Sequence, residues 1–162
     1  MLQLIWVGCA VVIISAALKA HRSERAARTG RIGVAVLFLA AGALVNAVFL
    51  VTGNDYAKFA DGSYIPFVRD TWRSLVVPNH YIFISLLVAF EAAVGVLVLS
   101  AGKRAQLGLA AAIAFHVALL SFGWGFYLWS VPMIGALSLL LGAERRRIET
   151  PVVLALTRAK AA

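Results

Sequence analysis

Phe90-Glu91-Ala92 places a carboxylic acid inside a long apolar stretch, His80–Ser100. A carboxylate near a bilayer midplane costs about 3 kcal/mol or more unless it is protonated or paired, so glue is made more cheaply from Ser or Asn. Glu91 is therefore the first candidate for chemistry, and that chemistry is proton exchange. His116, inside the run Leu107–Gly142, is the second ionisable group of this kind. At the rise of a helix, Glu91 lies roughly 16 Å below the outer edge of its span and His116 about 10 Å below its own. The two are expected to meet, directly or through a water, as a proton-exchanging pair.

Neutral polar residues surround this pair in depth. Asn46 falls about 10 Å below the outer edge of its span, and Ser85 and Ser130 lie nearer the edge on two further spans. Lipid exposure of such groups is unfavourable, so they are expected to turn toward one another and line a polar pocket. Asn46, Ser85, Ser130 and Tyr127 are the candidate ligand contacts. Each also has a structural reading. Asn46 can tie helices together, His116 can be a packed histidine, and Tyr127 can anchor at the interface with Trp72, Trp124 and Trp129. Small residues on the same helix faces favour close contact: Gly42 with Asn46, Gly95 with Glu91, and Gly108 and Ala112 with His116.

The elements that must position these groups are membrane spans. Of 162 residues, 62% are hydrophobic, and the mean hydropathy is +0.91. A soluble domain is about half apolar, so the chain reads as all-α, a polytopic helical bundle in one membrane domain. A crossing needs roughly 20 apolar residues. Candidate spans are 2–18, 32–53, 80–100, 107–122 and 126–141. The last two come from dividing one 36-residue run at Gly123-Trp124-Gly125. Both halves are short, and Lys103 and Arg104 can snorkel to lengthen the first.

Charge placement predicts the orientation. With the N-terminus outside, the inner segments hold Lys19, Arg22, Arg25, Arg28, Arg31, Lys103, Arg104, Arg145, Arg146, Arg147, Arg158 and Lys160; the outer ones hold only Lys58, Arg69 and Arg73. Twelve of the 15 basic residues thus fall inside, as the positive-inside rule requires. The formal charge of +8 is then an orientation signal with some attraction to anionic lipid, and no nucleic-acid partner is expected. Residues 2–18 lack a basic leader before the apolar run and read as an anchor, not a signal peptide. His21–Arg31 is expected as a basic inner loop and residues 54–79 as the external segment. Within it, Pro66 opens and Pro78 ends a short amphipathic helix, on the membrane surface or as a lid over the bundle. Residues 143–162 form a basic cytoplasmic tail.

Several chemistries lose ground on residue supply. Cys9 is the only cysteine, which removes dithiol chemistry by this chain alone. His80 and His116 differ by about 10 Å in depth, against a bis-histidine haem. Glu91 and His116 are too few for a zinc site, and no metal site is expected. No phosphate loop, dinucleotide fingerprint or nucleophile elbow is present. Catalysis would rest on proton transfer or on a bound lipophilic cofactor such as a quinone.

The stretch from Ile32 to Leu141 resembles the DoxX-like family of small bacterial membrane proteins. The likeness lies in four spans, a longer external loop after the first, and the third-span run Phe90-Glu91-Ala92-Ala93-Val94-Gly95-Val96-Leu97, followed by the turn Ala101-Gly102-Lys103-Arg104. Leu2–Leu18 would be an added N-terminal span on that four-helix core. The resemblance implies quinone- or thiol-linked oxidoreduction, often as a small partner subunit of a larger membrane or peripheral oxidoreductase. Only Glu91 and Gly95 map onto the family pattern. An Ala- and Arg-rich composition points to a bacterial inner membrane. Two classes stay open: an accessory redox subunit with an outer-half Glu/His pocket, and a non-enzymatic scaffold or lipid-binding protein whose polar groups only lock helices.

Overall fold

The computed structural model describes residues 2–160, and side chains for residues 4–147. It is an all-helical bundle. Four helices are long and apolar enough to cross a membrane: Glu24–Val51, here α2, Pro66–Leu99, α3, Lys103–Phe122, α4, and Trp124–Arg147, the first part of α5. A shorter apolar helix, α1, Leu2–Lys19, precedes them, and α5 as a whole runs Trp124–Lys160. Each helix packs on the next in sequence, and α5 closes the ring by packing on α1. The connections are short except for residues 52–65, so one end of the ring is the loop end. The opposite end carries Lys19, Lys103 and Arg145 and is the basic end.

The expected inner loop is largely helix. Ser23 caps α2 by accepting the Ala26 N–H at 3.2 Å, and Glu24 follows in the first turn. A serine cap with an acid beside it favours helix here, so the basic residues 24–31 form the first turns of α2. Arg31 then reaches Glu144 on α5, with Nη1 donating to Oε2 at 3.0 Å, and both side chains are largely buried. Arg147 Nη2 donates to the Ser23 carbonyl at 3.3 Å and the Ala20 carbonyl at 3.5 Å, tying α5 to the α1–α2 turn.

Pro78 does not end its helix as expected. It lacks an N–H and crowds the preceding turn, and α3 absorbs this with a wide π turn at Trp72–Val76 and a tight turn at Val77–Asn79. Side chains bond three nearby carbonyls: Asn79 Nδ2 donates to Leu75, His80 Nδ1 to Val77 and Ser74 Oγ to Asp70. Pro66 does open the helix, at its first turn. The split at Gly123 also holds. Its φ of +115° suits glycine, and its Cα side lies against the Gly62 carbonyl, leaving no room for a Cβ.

The apolar core fills the bundle from the basic end toward the middle. Ile13, Ala17, Val34, Val98, Leu109, Leu137 and Leu140 are all essentially inaccessible. Glycines set the helix spacing: a Cβ on Gly108 would fall 2.8 Å from the Val98 nitrogen, and one on Gly33 would fall 2.9 Å from Ile13.

Candidate functional site

Beyond the core, toward the loop end, the helices separate around a cavity of about 1350 Å³. All five helices and the 52–65 segment line it, and the lining is mainly apolar. Phe38, Phe83 and Phe115 stand on the walls, Trp6 and Trp129 on α1 and α5. Such a volume exceeds the range of about 300–1,000 Å³ usual for small-molecule pockets. Its polar side chains include Asn46, Asn54, Asp55, Tyr56 and Lys58, together with the carboxyl of Glu91 and the imidazole of His116.

Glu91 sits on α3 and is 4% exposed. Its carboxyl lies flat on α2 because residue 42 is glycine. A Cβ there would be 2.7 Å from Oε1 and 2.9 Å from Cδ. The local backbone helps: Leu37–Leu44 is a π-helical stretch within α2. Widened turns of this kind often occur at functional sites. On the other side of this stretch the Ala41 carbonyl accepts the Trp6 indole N–H at 3.2 Å, which pins α1 to α2 at cavity level.

The nearest polar partner of Glu91 is Asn46. Asn46 Nδ2 donates to Glu91 Oε2 at 2.9 Å. The amide is in turn held by Tyr56, whose hydroxyl donates toward Asn46 Oδ1 at 3.1 Å and lies 3.2 Å from the Asn46 carbonyl. An acceptor that receives Tyr56 fixes which end of the amide faces Glu91. Tyr56 thus positions Asn46, and Asn46 positions the carboxyl. Burial pushes the Tyr56 hydroxyl above its ordinary pKa, and the Glu91 carboxylate adds to the rise. The phenol therefore stays a donor through the neutral range.

Tyr56 is held under backbone strain. Its φ of +56° is the only positive value on a non-glycine among the described residues, an unusual conformation for a bulky side chain. Asn54 Oδ1 accepts the Tyr56 N–H at 2.8 Å, and Trp72 Nε1 donates to the Tyr56 carbonyl at 2.9 Å. Phe59 stacks on Trp72 at 5.0 Å between ring centres and meets Phe122 at 4.9 Å and Phe126 at 5.3 Å. Ser63 Oγ donates to the Ser121 carbonyl at 2.6 Å. The 52–65 segment is therefore a lid packed on the bundle, with Trp72 inside its aromatic cluster.

His116 is 2% exposed and faces Phe38 and Phe115, with ring centres at 6.0 Å and 5.7 Å. Its Nδ1 lies 2.8 Å from the Ala112 carbonyl, one turn back. A carbonyl accepts only from N–H, so the neutral ring carries its proton on Nδ1 and keeps its lone pair on Nε2. The expected direct contact with Glu91 is not made. Among the described residues Glu91 bonds Asn46 and His116 bonds its own helix, while both line one cavity. The side-chain amide holds the direct contact that depth alone suggested for histidine.

The remaining predicted contacts divide. Asn46 lines the cavity. Ser85 is exposed, because six residues of helix turn it away from the face of Glu91. Tyr127 is exposed against Trp124 and stands outside the cavity, while its neighbours Phe126 and Trp129 line it. Ser130 is fully buried, outside the cavity lining, and its hydroxyl has no partner among the described residues. Tyr56 and Trp6 belong to the site without having been singled out, whereas Gly42, expected as a close-contact residue beside Asn46, seats the Glu91 carboxyl. An aromatic two residues after Asn54 is a faint sequence signal for Tyr56, and none marks Trp6. Among the described residues no three His, Cys, Asp or Glu side chains are grouped to hold a metal.

No family model matches the chain, and no curated protein or solved structure is similar to it. The DoxX-like resemblance therefore rests on the residues quoted for it.

Proposed function

We propose that this chain is a small integral membrane subunit that holds a lipophilic ligand, a quinone or a molecule of similar chemistry, in the cavity at its loop end. The cavity carries this reading: a large, mainly apolar space with Glu91 and His116 on its walls. An apolar ligand body is matched by the aromatic lining, and a polar head by Glu91 and His116. In this reading Glu91 and His116 exchange protons with the bound head. His116 accepts at Nε2, and Glu91 gives or takes a proton at the oxygen that Asn46 leaves free. The chain supplies binding and proton handling, and a larger membrane or peripheral oxidoreductase exchanges electrons with the ligand. The charge pattern supports a bacterial inner membrane with the N-terminus outside and the C-terminus cytoplasmic, so that the cavity opens toward the outer side.

Trp6, Trp72 and Trp129 line the cavity and provide the readout. Protein in lipid nanodiscs, titrated with a short-chain ubiquinone analogue, should show saturable quenching of tryptophan fluorescence. Glu91→Gln should fold normally and weaken the saturable phase about tenfold, the worth of one hydrogen bond to a charged group. Linear quenching alone would remove the ligand reading. The hydrogen bond from Asn46 favours a second reading, in which Glu91 only ties α2 to α3; Glu91→Gln would then leave both stability and quenching unchanged. Orientation is checked in a Cys9→Ser background by Lys58→Cys, whose thiol should react with an impermeant reagent in intact cells.

A further inference from the structure

We propose that the basic end of the bundle carries a specific site for the phosphate-bearing head group of an anionic phospholipid. The site is a recess of about 200 Å³ where α1, its turn into α2, and α5 meet, lined by Ala20, His21, Ala143, Arg146 and Arg147.

The recess exists because Ala20 and Ala143 are small where two helices approach, and both are buried. Arg147 is anchored in it. Its Nη2 donates to the Ser23 and Ala20 carbonyls, so the guanidinium is held before any ligand arrives. Guanidinium has five N–H donors in a planar fork, so this anchoring leaves others for a tetrahedral anion. Arg146 lines the same recess and brings a second guanidinium, alongside an interaction of its own. His21 completes the donor set from the α1–α2 turn.

Among the described side chains no carboxylate pairs with Arg147, whose partners are backbone carbonyls, and this keeps the recess cationic. Glu144 adjoins it in sequence, but its carboxylate is taken by Arg31 at 3.0 Å. Glu24, in the first turn of α2, is exposed, and Lys19, Arg22 and Arg25 around it are exposed as well. Basic pockets between membrane helices bind anionic head groups.

Depth and surroundings favour a lipid over free phosphate. The recess lies where the apolar part of α1 gives way to Lys19 and that of α5 to Glu144, the level of lipid phosphates. Leu18, two residues before Ala20 on α1, is 69% exposed and offers an apolar surface for an acyl chain. The site is independent of the cavity reading, since it lies at the other end of the bundle.

Delipidated protein in detergent, titrated with short-chain phosphatidylglycerol and followed by native mass spectrometry, tests this. One phosphatidylglycerol should bind preferentially over phosphatidylcholine. Arg146→Gln, at an exposed side chain, and Arg147→Gln should each weaken it about tenfold. The Lys103→Gln/Arg104→Gln pair removes two charges elsewhere on the same end and should change it little. Equal weakening by that control would reduce the effect to diffuse attraction and overturn the site. Equal binding of phosphatidylcholine would overturn it too. A third contrary outcome is inorganic phosphate binding as tightly as the lipid, which would assign the recess to a soluble anion.

Discussion

The two ends of this bundle use the same five helices in opposite ways. Toward the basic end the contacts are made by Gly30, Gly33, Gly108 and alanines, and the helices close on a solid core. Toward the loop end Phe, Trp and Tyr occupy the facing positions, and the helices enclose a cavity. Polar chemistry follows the same division. Arg31 and Glu144 spend their charges on each other. Glu91 spends one oxygen on a neutral amide and keeps the rest of its capacity beside open space. A satisfied ion pair can lock helices, whereas a carboxyl with spare capacity can act on something else. Buried acids in a membrane protein are thus told apart by their partners.

The sharpest way to break this contrast is at the closed pair. Glu144→Ala strands the Arg31 guanidinium, whose Nε already has no partner among the described residues, and should cost about 3 kcal/mol. Chemical denaturation in detergent measures it. Arg31→Met with Glu144→Leu should recover most of that loss, since an apolar pair of similar volume replaces the ions. If the double variant is no more stable than Glu144→Ala, the pair has a role beyond mutual neutralisation.

Gly42→Ala moves the comparison to the cavity. The added methyl occupies the carboxyl's place on α2 and should cost about 1–3 kcal/mol as overpacking. It should also displace Glu91 from Asn46, weakening ligand binding even where the fold survives. A crystal or cryo-electron structure with the 2.9 Å contact intact would contradict that account.

The smallest effect is expected at the lid. Tyr56→Phe removes one hydroxyl and should cost about 1 kcal/mol. Its more telling readout is pH. The Tyr56 hydroxyl is raised by burial first and by the Glu91 carboxylate second. Ultraviolet titration should therefore show one phenol ionising later than an ordinary tyrosine. Glu91→Gln removes the negative charge and should bring that ionisation to lower pH, while Tyr56→Phe should abolish it.

Much of this arrangement is legible along the chain. Apolar runs of span length, the break at Gly123 and the segregation of basic residues are local or one-dimensional signals. Glu91 stands out because no packing role needs a carboxylic acid in that setting. Gly42, Gly95 and Gly108 were legible as close contacts because a missing side chain matters only where another surface approaches. Leu39 does press on Gly95, where a Cβ would lie 2.5 Å from its Cγ.

Other features are silent in sequence. Ser85 and Tyr127 have the right depth, but depth says nothing about the direction a side chain faces around its helix. The sequence alone determines an all-helical chain that partitions into a bilayer, because hydropathy and backbone hydrogen bonding act residue by residue. Only the tertiary structure decides that Asn46 bonds Glu91 directly while His116 bonds its own helix, that Leu37–Leu44 widens to present Gly42, and that Tyr56 reaches in from the lid. Those outcomes depend on helix rotation and on surfaces distant in sequence, where energies of a few kcal/mol are settled by which groups can come within hydrogen-bonding distance.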